Sequence, residues 1–369
     1  MTIEGELAVR LDCCGRRVRR VTVRSTRPFV AAHVLQGRAP DDAVAIVPRL
    51  FSVCGRAQEA AAAGALAVAR GSTQPAEAKA ARAREVRLET IQEYLRRILI
   101  DWPEAMGRAP ATAPVAAALR SVARASREAA DCALARELAD IAAHHVYGAA
   151  PDEWLAQDTV DAWAEHGRTL PAKLLAALLR EAPTLGRSDV SLMPAAGREA
   201  LTAAVVPALR ADAAFGAAPV WDGAPVETGA LARKRDHPLV ASLVARFGHA
   251  VPARMTARLV ELAVLLGDLA APDYAAAEIE TFALADGEGL AAVQTARGLL
   301  LHRARVRDGR VADYQIVAPT EWNFHPDGPL ARGLPGMAAD DEDTLARRAR
   351  LAVQALDPCV ACTIEVTHA

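Results

Sequence analysis

Aromatic residues are scarce: Phe, Trp and Tyr together make up 4% of a chain of 369 residues whose hydrophobic share is 52%. An interior so poor in rings is filled by Ala, Leu and Val, a composition that suits closely packed helices. Charge of one sign is also lacking. A formal net charge of -2 creates no global field to gather a polyanion, so nucleic acid is not an expected partner. No run approaches the ~20 apolar residues needed to cross a bilayer. Met1 to Arg10 lacks the basic-then-apolar pattern of a secretion signal. A cytoplasmic protein with no membrane partner is expected. Long Pro/Gly/Ser linkers are missing too, which leaves a single domain over 1-369 as the reading. Six cysteines in a reducing compartment are thiols or metal ligands rather than disulfides.

What is present is mainly α with minor β (α+β): a large helical core with small β-hairpins near the N-terminus and in the C-terminal half. Glu6 to Asp12 and Arg17 to Arg24 alternate in polarity around Cys13-Cys14-Gly15-Arg16, as an edge hairpin would. Phe29 to Leu35 is a short apolar segment, and Pro40-Asp41-Asp42 opens a helix that leads to Cys54. This N-terminal region (1-60) is followed by an Ala/Leu/Arg-rich helical middle (61-285) with breaks at Gly71-Ser72, Pro103, Gly107, Pro151, Pro183, Gly216 and Pro238. Acids interleave with its arginines, which marks a solvated helix face rather than a nucleic-acid stripe. In the C-terminal region (286-369), Leu290 to Val306 and Val311 to Val317 alternate like strands around Arg307-Asp308-Gly309-Arg310. Asp340 to Leu356 is an amphipathic helix that stops at Asp357-Pro358.

Chemistry concentrates just after that stop. Cys359-Val360-Ala361-Cys362 is a CxxC pair seven residues from the chain end. A thioredoxin-like pair sits at the start of a helix in a βαβ unit, and no such pattern is present, so metal ligation is favoured over redox exchange. A four-cysteine zinc or iron–sulfur cage needs a second pair. Cys13 and Cys14 are adjacent, and Cys54 and Cys132 stand alone, so a zinc ribbon is excluded by spacing.

Four separated segments, in order, resemble the NiFe hydrogenase large-subunit family. The first is Gly37-Arg38-Ala39-Pro40-Asp41-Asp42-Ala43 with Arg49-Leu50-Phe51-Ser52-Val53-Cys54-Gly55-Arg56-Ala57-Gln58, similar to G-R-x-P-x-D-A and R-x-C-G-x-C-x-x-x-H. The second is Leu99-Ile100-Asp101-Trp102, similar to L-D-W. The third includes Ala296-Arg297-Gly298, Asp308-Gly309-Arg310, Tyr314-Gln315 and Ala318-Pro319-Thr320-Glu321-Trp322-Asn323. The fourth is Asp357-Pro358-Cys359-Val360-Ala361-Cys362-Thr363-Ile364-Glu365, similar to D-P-C-x-x-C-x-x-H. The resemblance covers the two ends of the chain well and its middle poorly.

Carried over position by position, the resemblance makes Cys54 and Cys362 the thiolates that bridge iron and nickel in that family, and Cys359 a terminal nickel ligand. Phe51 stands where the other nickel sulfur belongs, Gln58 and Glu365 replace the motif histidines, and Ala32 replaces a proton-relaying glutamate. The iron side survives while nickel loses a sulfur. Arg297 and Thr320 are implied as donors to the cyanides of an Fe(CN)2CO unit, with Pro319, Asp357 and Asp101 around them. Only four residues follow Glu365, so no removable tail is expected.

Blander roles stand beside these. Cys13, Cys14 and Cys132 suit small packing residues, His33 and His325 suit surface or supporting groups, Trp322 and Asn323 suit framework, and Arg297 with Asp101 could form an ordinary ion pair. The implied function is a non-catalytic assembly scaffold like the large-subunit-like hydrogenase expression/formation proteins. It would hold Fe(CN)2CO transiently, carry no nickel, and work with a hydrogenase large-subunit precursor and HypC/HypD-type maturation chaperones. A divergent or hydrogen-sensing hydrogenase subunit, and a metal-free structural subunit, are the alternatives.

Overall fold

The computed structural model describes residues 5–26, 30–51, 53–128, 131–195, 197–270 and 279–368. Among the described residues the fold is mainly helical, with three small sheets. Strands β1 (Glu6–Cys14) and β2 (Arg17–Ser25) form the expected hairpin, turning at Gly15 with φ 58°. Leu7, Val9, Leu11 and Cys13 alternate inward and are buried, which fixes the register. The hairpin is not a free edge on both sides. The last strand of the chain, β9 (Ala361–His368), pairs in parallel with β1 from Glu6↔Ala361 to Cys13↔His368, making β1 the central strand. Residues 27–29, and with them the start of the apolar segment at Phe29, lie outside the described residues. The rest of that segment is the short helix α1 (Val30–Leu35), and α2 (Pro40–Ile46) comes after it.

After a two-residue parallel pair, β3 (Ser191–Leu192) and β4 (Val226–Glu227), the largest sheet is antiparallel. Its strands run in order: β5 (Ile279–Ala285), β6 (Glu288–Thr295), β7 (Gly298–Arg307) and β8 (Arg310–Val317). The strand expected over Leu290 to Val306 is thus two strands, reversed at Ala296-Arg297. That reversal needs Gly298, which sits at φ 127° and whose absent Cβ would lie 2.3 Å from Thr228. β5 falls inside the stretch read as helical; its Ile279 and Phe282 turn inward because the neighbouring β6 offers a ladder that sequence periodicity cannot see.

Helix α3 (Gly55–Ala69) lies on this sheet. Its alanines keep side chains short enough for backbones to approach: a Cβ on Gly289 of β6 would fall 2.2 Å from the Ala65 carbonyl oxygen. Helix α4 (Ala76–Arg96) packs on α3 and continues through a wide π-type turn, Arg97–Asp101, into α5 (Trp102–Ala105). Pro103 therefore does not break the helix. It occupies an opening position of α5, where a missing N–H is tolerated, and Pro151 and Pro238 likewise start helices. The long helix Val251–Ala270 runs through the largest core cluster. Helix Glu342–Leu356 begins at Asp341, whose carboxylate accepts the Thr344 N–H at 2.7 Å, and ends at Asp357 in the left-handed region, φ 59°. That reversal turns Pro358 and Cys359 back into the body.

Candidate metal centre

Cys54 is the residue before α3, and the helix has no cap of its own there. Glu89 of α4 supplies one: its carboxylate accepts the N–H groups of Arg56 at 2.8 Å and Ala57 at 3.2 Å. A carboxylate is thereby fixed beside Cys54. From the opposite end of the chain, buried Cys359 is held by Thr320, near the start of the helix Pro319–Asn323. The Thr320 hydroxyl accepts the Cys359 N–H at 3.1 Å and lies 3.0 Å from its sulfur, with its own proton available to that sulfur. The two halves of the sequence motif meet here: Cys359 acts on the charge of Cys54, and both sulfurs act on that of Arg297.

Arg297 projects from the β6–β7 reversal, and its loop is pinned by Asn323, whose amide nitrogen donates to the Arg297 carbonyl at 3.3 Å while its oxygen accepts Thr228 N–H at 2.9 Å. Asn323 is framework, as its position suggested. Trp322 fills the third core cluster. The Arg297 guanidinium is 3% exposed and donates to Glu93 at 2.6 Å. Its Nε is 3.3 Å from Asp357 Oδ1, close enough for charge attraction but off the angle of an aligned hydrogen bond. Burial works to lower the Arg297 pKa, but Asp357, Glu93, Cys359 and Cys54 outweigh it and hold the group charged.

Asp357 is fully buried among three arginines: Arg97 at 2.6 Å, Arg297 at 3.3 Å and Arg258 at 3.6 Å. Burial alone would raise its pKa; the arginines keep it below the ordinary aspartate range. Arg97 also donates to Asp101 at 2.6 Å and to the Pro358 carbonyl at 2.8 Å, so it clamps the Asp357-Pro358 corner that aims Cys359. Arg297 and Asp101 do not pair with each other. Asp101 is bound by Arg96 and Arg97 instead.

Burial, the neighbouring Cys359 and Glu89 push the Cys54 thiol up to about 12, against the pull of Arg297 and a hydrogen bond from the Gln58 amide nitrogen at 3.6 Å. Gln58 in turn presents its oxygen to His302 at 2.8 Å, and His302 meets the Tyr314 hydroxyl at 2.7 Å. Cys362 is placed differently. It sits on β9 opposite Leu7, half-buried, with its sulfur 3.8 Å from the Thr363 carbonyl, and burial pushes it up to about 12 without a charge contribution from the other two thiols. Among the described residues no group of three His, Cys, Asp or Glu side chains closes into a metal cage.

Of the altered positions, Phe51 is half-buried and packs against the second core cluster. Glu365 is exposed on β9 opposite Arg10. Ala32 lies in α1, and its side chain is outside the described residues. Cys13 is a buried packing residue, whereas Cys14 and Cys132 are exposed rather than packed. His33 is exposed; His325 is buried and accepts the Asp327 N–H at 3.0 Å. The residues sequence reasoning missed are Glu89, Glu93, Arg97 and His302. The first three sit at helical spacing in a charged stretch that reads as a solvated face.

The chain is similar to proteins of known description. A protein described as hydrogenase expression/formation protein HoxV from Cupriavidus necator is 33% identical over 366 residues, covering 93% of this chain and 92% of its own. Hydrogenase expression/formation protein HupK from Azotobacter vinelandii is 32% identical and covers 99% of each. The chain belongs to the hydrogenase expression/formation protein family. The model for nickel-dependent hydrogenases matches residues 248–365, the part that carries Arg297, Thr320 and the CxxC pair. The fold is also that of the Ni-Fe-Se hydrogenase from D. vulgaris Hildenborough in its reduced state, with a TM-score of 0.58 at 18% identity over 94% of both chains. No described helix of this family member is long and apolar enough to cross a membrane.

Proposed function

We propose that this hydrogenase formation protein is a non-catalytic carrier of the Fe(CN)2CO unit. It would receive the unit from HypC/HypD-type chaperones, hold it through Cys54 and Cys362, and pass it to a hydrogenase large-subunit precursor. One observation carries the reading: Cys54 and Cys359 act on the buried Arg297 cation, whose Nε has no aligned acceptor among the described residues, while Phe51 stands at the position where the resemblance puts a further sulfur. Low-spin iron favours polarizable thiolates, and its cyanide nitrogens take hydrogen bonds from buried donors. Arg297 Nε and the Thr320 hydroxyl fit that need.

Binding displaces the Cys54 proton, because only the thiolate ligates and the empty site keeps the thiol protonated. Glu89, which Cys54 senses and whose carboxyl burial pushes up to about 7, is suited to accept it near neutral pH. Cys362 is paired into β9 opposite Leu7, so its joining Cys54 requires the first residues of β9 to leave β1; as folded, Cys359 is the sulfur that acts on Cys54. Infrared spectroscopy of protein purified from cells with an intact maturation system tests this. Bound carbon monoxide and cyanide bands are expected, lost in Cys54→Ala and in Cys362→Ala, and shifted in Arg297→Ala. Normal loading of the Cys54→Ala, Cys362→Ala double variant would overturn the site. Stoichiometric nickel with hydrogen turnover would favour a divergent hydrogenase instead.

A further inference from the structure

Behind Cys54 runs a buried hydrogen-bond chain that joins three elements. Gln58, in the first turn of α3, donates to Cys54 Sγ at 3.6 Å; its amide oxygen is 2.8 Å from His302 Nε2 on β7; and His302 Nδ1 is 2.7 Å from the hydroxyl of Tyr314 on β8. Gln58, His302 and Tyr314 are each at most 1% exposed, and the two rings meet edge to face with centroids 5.5 Å apart. We propose that Tyr314 sets the polarity of this chain, so that Cys54 is always presented with an N–H donor and never with an acceptor, making Tyr314 and His302 positioning residues for the Cys54 sulfur.

The reasoning is one of donor and acceptor counting. A neutral imidazole has one N–H and one lone pair, and burial holds His302 neutral, with its pKa lowered to about 3. The chain can therefore run in two senses. In the first, the phenol proton goes to Nδ1, Nε2–H donates to the Gln58 oxygen, and the Gln58 NH2 group faces the sulfur. In the second, Nδ1–H donates to the phenol oxygen, the amide is reversed, and its carbonyl faces Cys54. The second sense strands the phenol proton: among the described residues the hydrogen bond of the Tyr314 hydroxyl is to His302. A stranded buried donor loses its water hydrogen bond with nothing to replace it, whereas the first sense gives the phenol, both ring nitrogens and the amide oxygen a partner. Polarity chosen at Tyr314 is thus transmitted through two neutral side chains to the sulfur. An N–H donor favours the thiolate, the form that ligates a soft cation.

This inference deepens the proposed role of Cys54, but its first test does not depend on any metal. Nitrogen-15 shifts of the His302 ring in the wild-type protein report the tautomer directly: protonated Nε2 and unprotonated Nδ1 are expected, and protonated Nδ1 overturns the proposal whatever the variants do. In Tyr314→Phe either sense leaves one ring nitrogen unsatisfied, so a mixture of tautomers is expected; an unchanged single tautomer would show that Tyr314 does not set it. The second readout is affinity for Cd2+ alone, in protein lacking the exposed Cys14 and Cys132. Tyr314→Phe and Gln58→Leu should each weaken binding about tenfold or more, as removal of groups that orient a ligand does. Unchanged affinity in both variants overturns the positioning role. If Cys54→Ala binds Cd2+ as tightly as the parent, the metal reading of Cys54 fails, and the tautomer measurement still decides the polarity.

Discussion

Glu89 carries a stability cost that pH reveals. Burial, with Glu93 adding to it, pushes its carboxyl from 4.5 to about 7, against the Arg56 and Ala57 N–H bonds and the Arg297 charge. Between those two values the folded chain holds a proton that the unfolded chain has lost, so stability falls as pH rises through the window. Below 4.5 both states are protonated and nothing is lost; above about 7 both are ionised and the loss is complete. At about 1.4 kcal/mol per pH unit, the displacement corresponds to about 3 kcal/mol. Glu89→Gln removes the charge but keeps one oxygen, whereas Arg56 N–H and Ala57 N–H bond to different carboxylate oxygens, so one of the two donors loses its acceptor. That lost bond returns part of the gain, leaving on the order of 1 kcal/mol of net stabilisation at pH 8 and a small net loss at pH 5. Urea unfolding of metal-free wild type and variant at pH 5, 6, 7 and 8 measures this as a difference of midpoints, variant minus wild type, that rises with pH. Parallel profiles across the range would refute the account, because a Glu89 that titrates normally gives no divergence.

Asp357→Asn leaves Arg97, Arg258 and Arg297 buried without their shared counterion, and a loss on the order of 3–5 kcal/mol is expected in urea; a loss below 1 kcal/mol would mean the arginines are hydrated. Since the folded Asp357 carboxyl lies below 3.8, its contribution is present above that value and disappears as pH falls through the lower one, so acid unfolding should begin at higher pH in a variant lacking Arg97. Gly289→Ala drives a methyl against the Ala65 carbonyl and the Ala69 nitrogen of α3, backbone atoms that cannot rotate aside, and a loss of about 3 kcal/mol is expected, at the top of the overpacking range; a neutral result would show that α3 slides freely on the sheet.

The β1–β2 hairpin and the helix Glu342–Leu356 were legible because each declares itself within a dozen residues, one by alternation and one by an acidic start and a Pro stop. Thr320, Arg297 and Cys359 were legible only through their motif context. β5 was missed because its ladder partner, not its own pattern, makes it a strand. β9 was missed for a different reason: the CxxC pair drew the reading, although Cys362, Ile364 and Val366 alternate inward as a strand would. Glu89, Glu93 and Arg97 were hidden because a charged helical stretch looks the same whether water or Arg297 and Asp357 meet it. Burial of such a stretch is a tertiary fact, and the chain encodes it partly in distant residues that supply the counter-charges.

Those counter-charges bear on how such a site would release what it binds. Arg297 is the cation nearest in effect to Cys54, yet it is already engaged by Glu93 and Asp357, so little of its charge remains to hold a thiolate. Burial, with Cys359 and Glu89 adding to it, therefore outweighs the pull of Arg297 and pushes the Cys54 thiol up to about 12: before any metal arrives the sulfur keeps its proton at every physiological pH. A soft cation therefore binds by exchange with that proton, and apparent affinity should rise about tenfold for each pH unit per thiol ionised. For a carrier of the proposed kind the same exchange run backwards assists delivery, since reprotonation of Cys54 removes a ligand as the acceptor's thiolate takes over. Cd2+ titrations between pH 6 and 8 should show at least this tenfold slope in the wild-type protein and a slope one proton shallower in Cys54→Ala. A flat profile in the wild type would mean that the pocket already holds Cys54 as a thiolate, that Arg297 is not spent on its carboxylates, and that the site is built to retain its cargo rather than to hand it on.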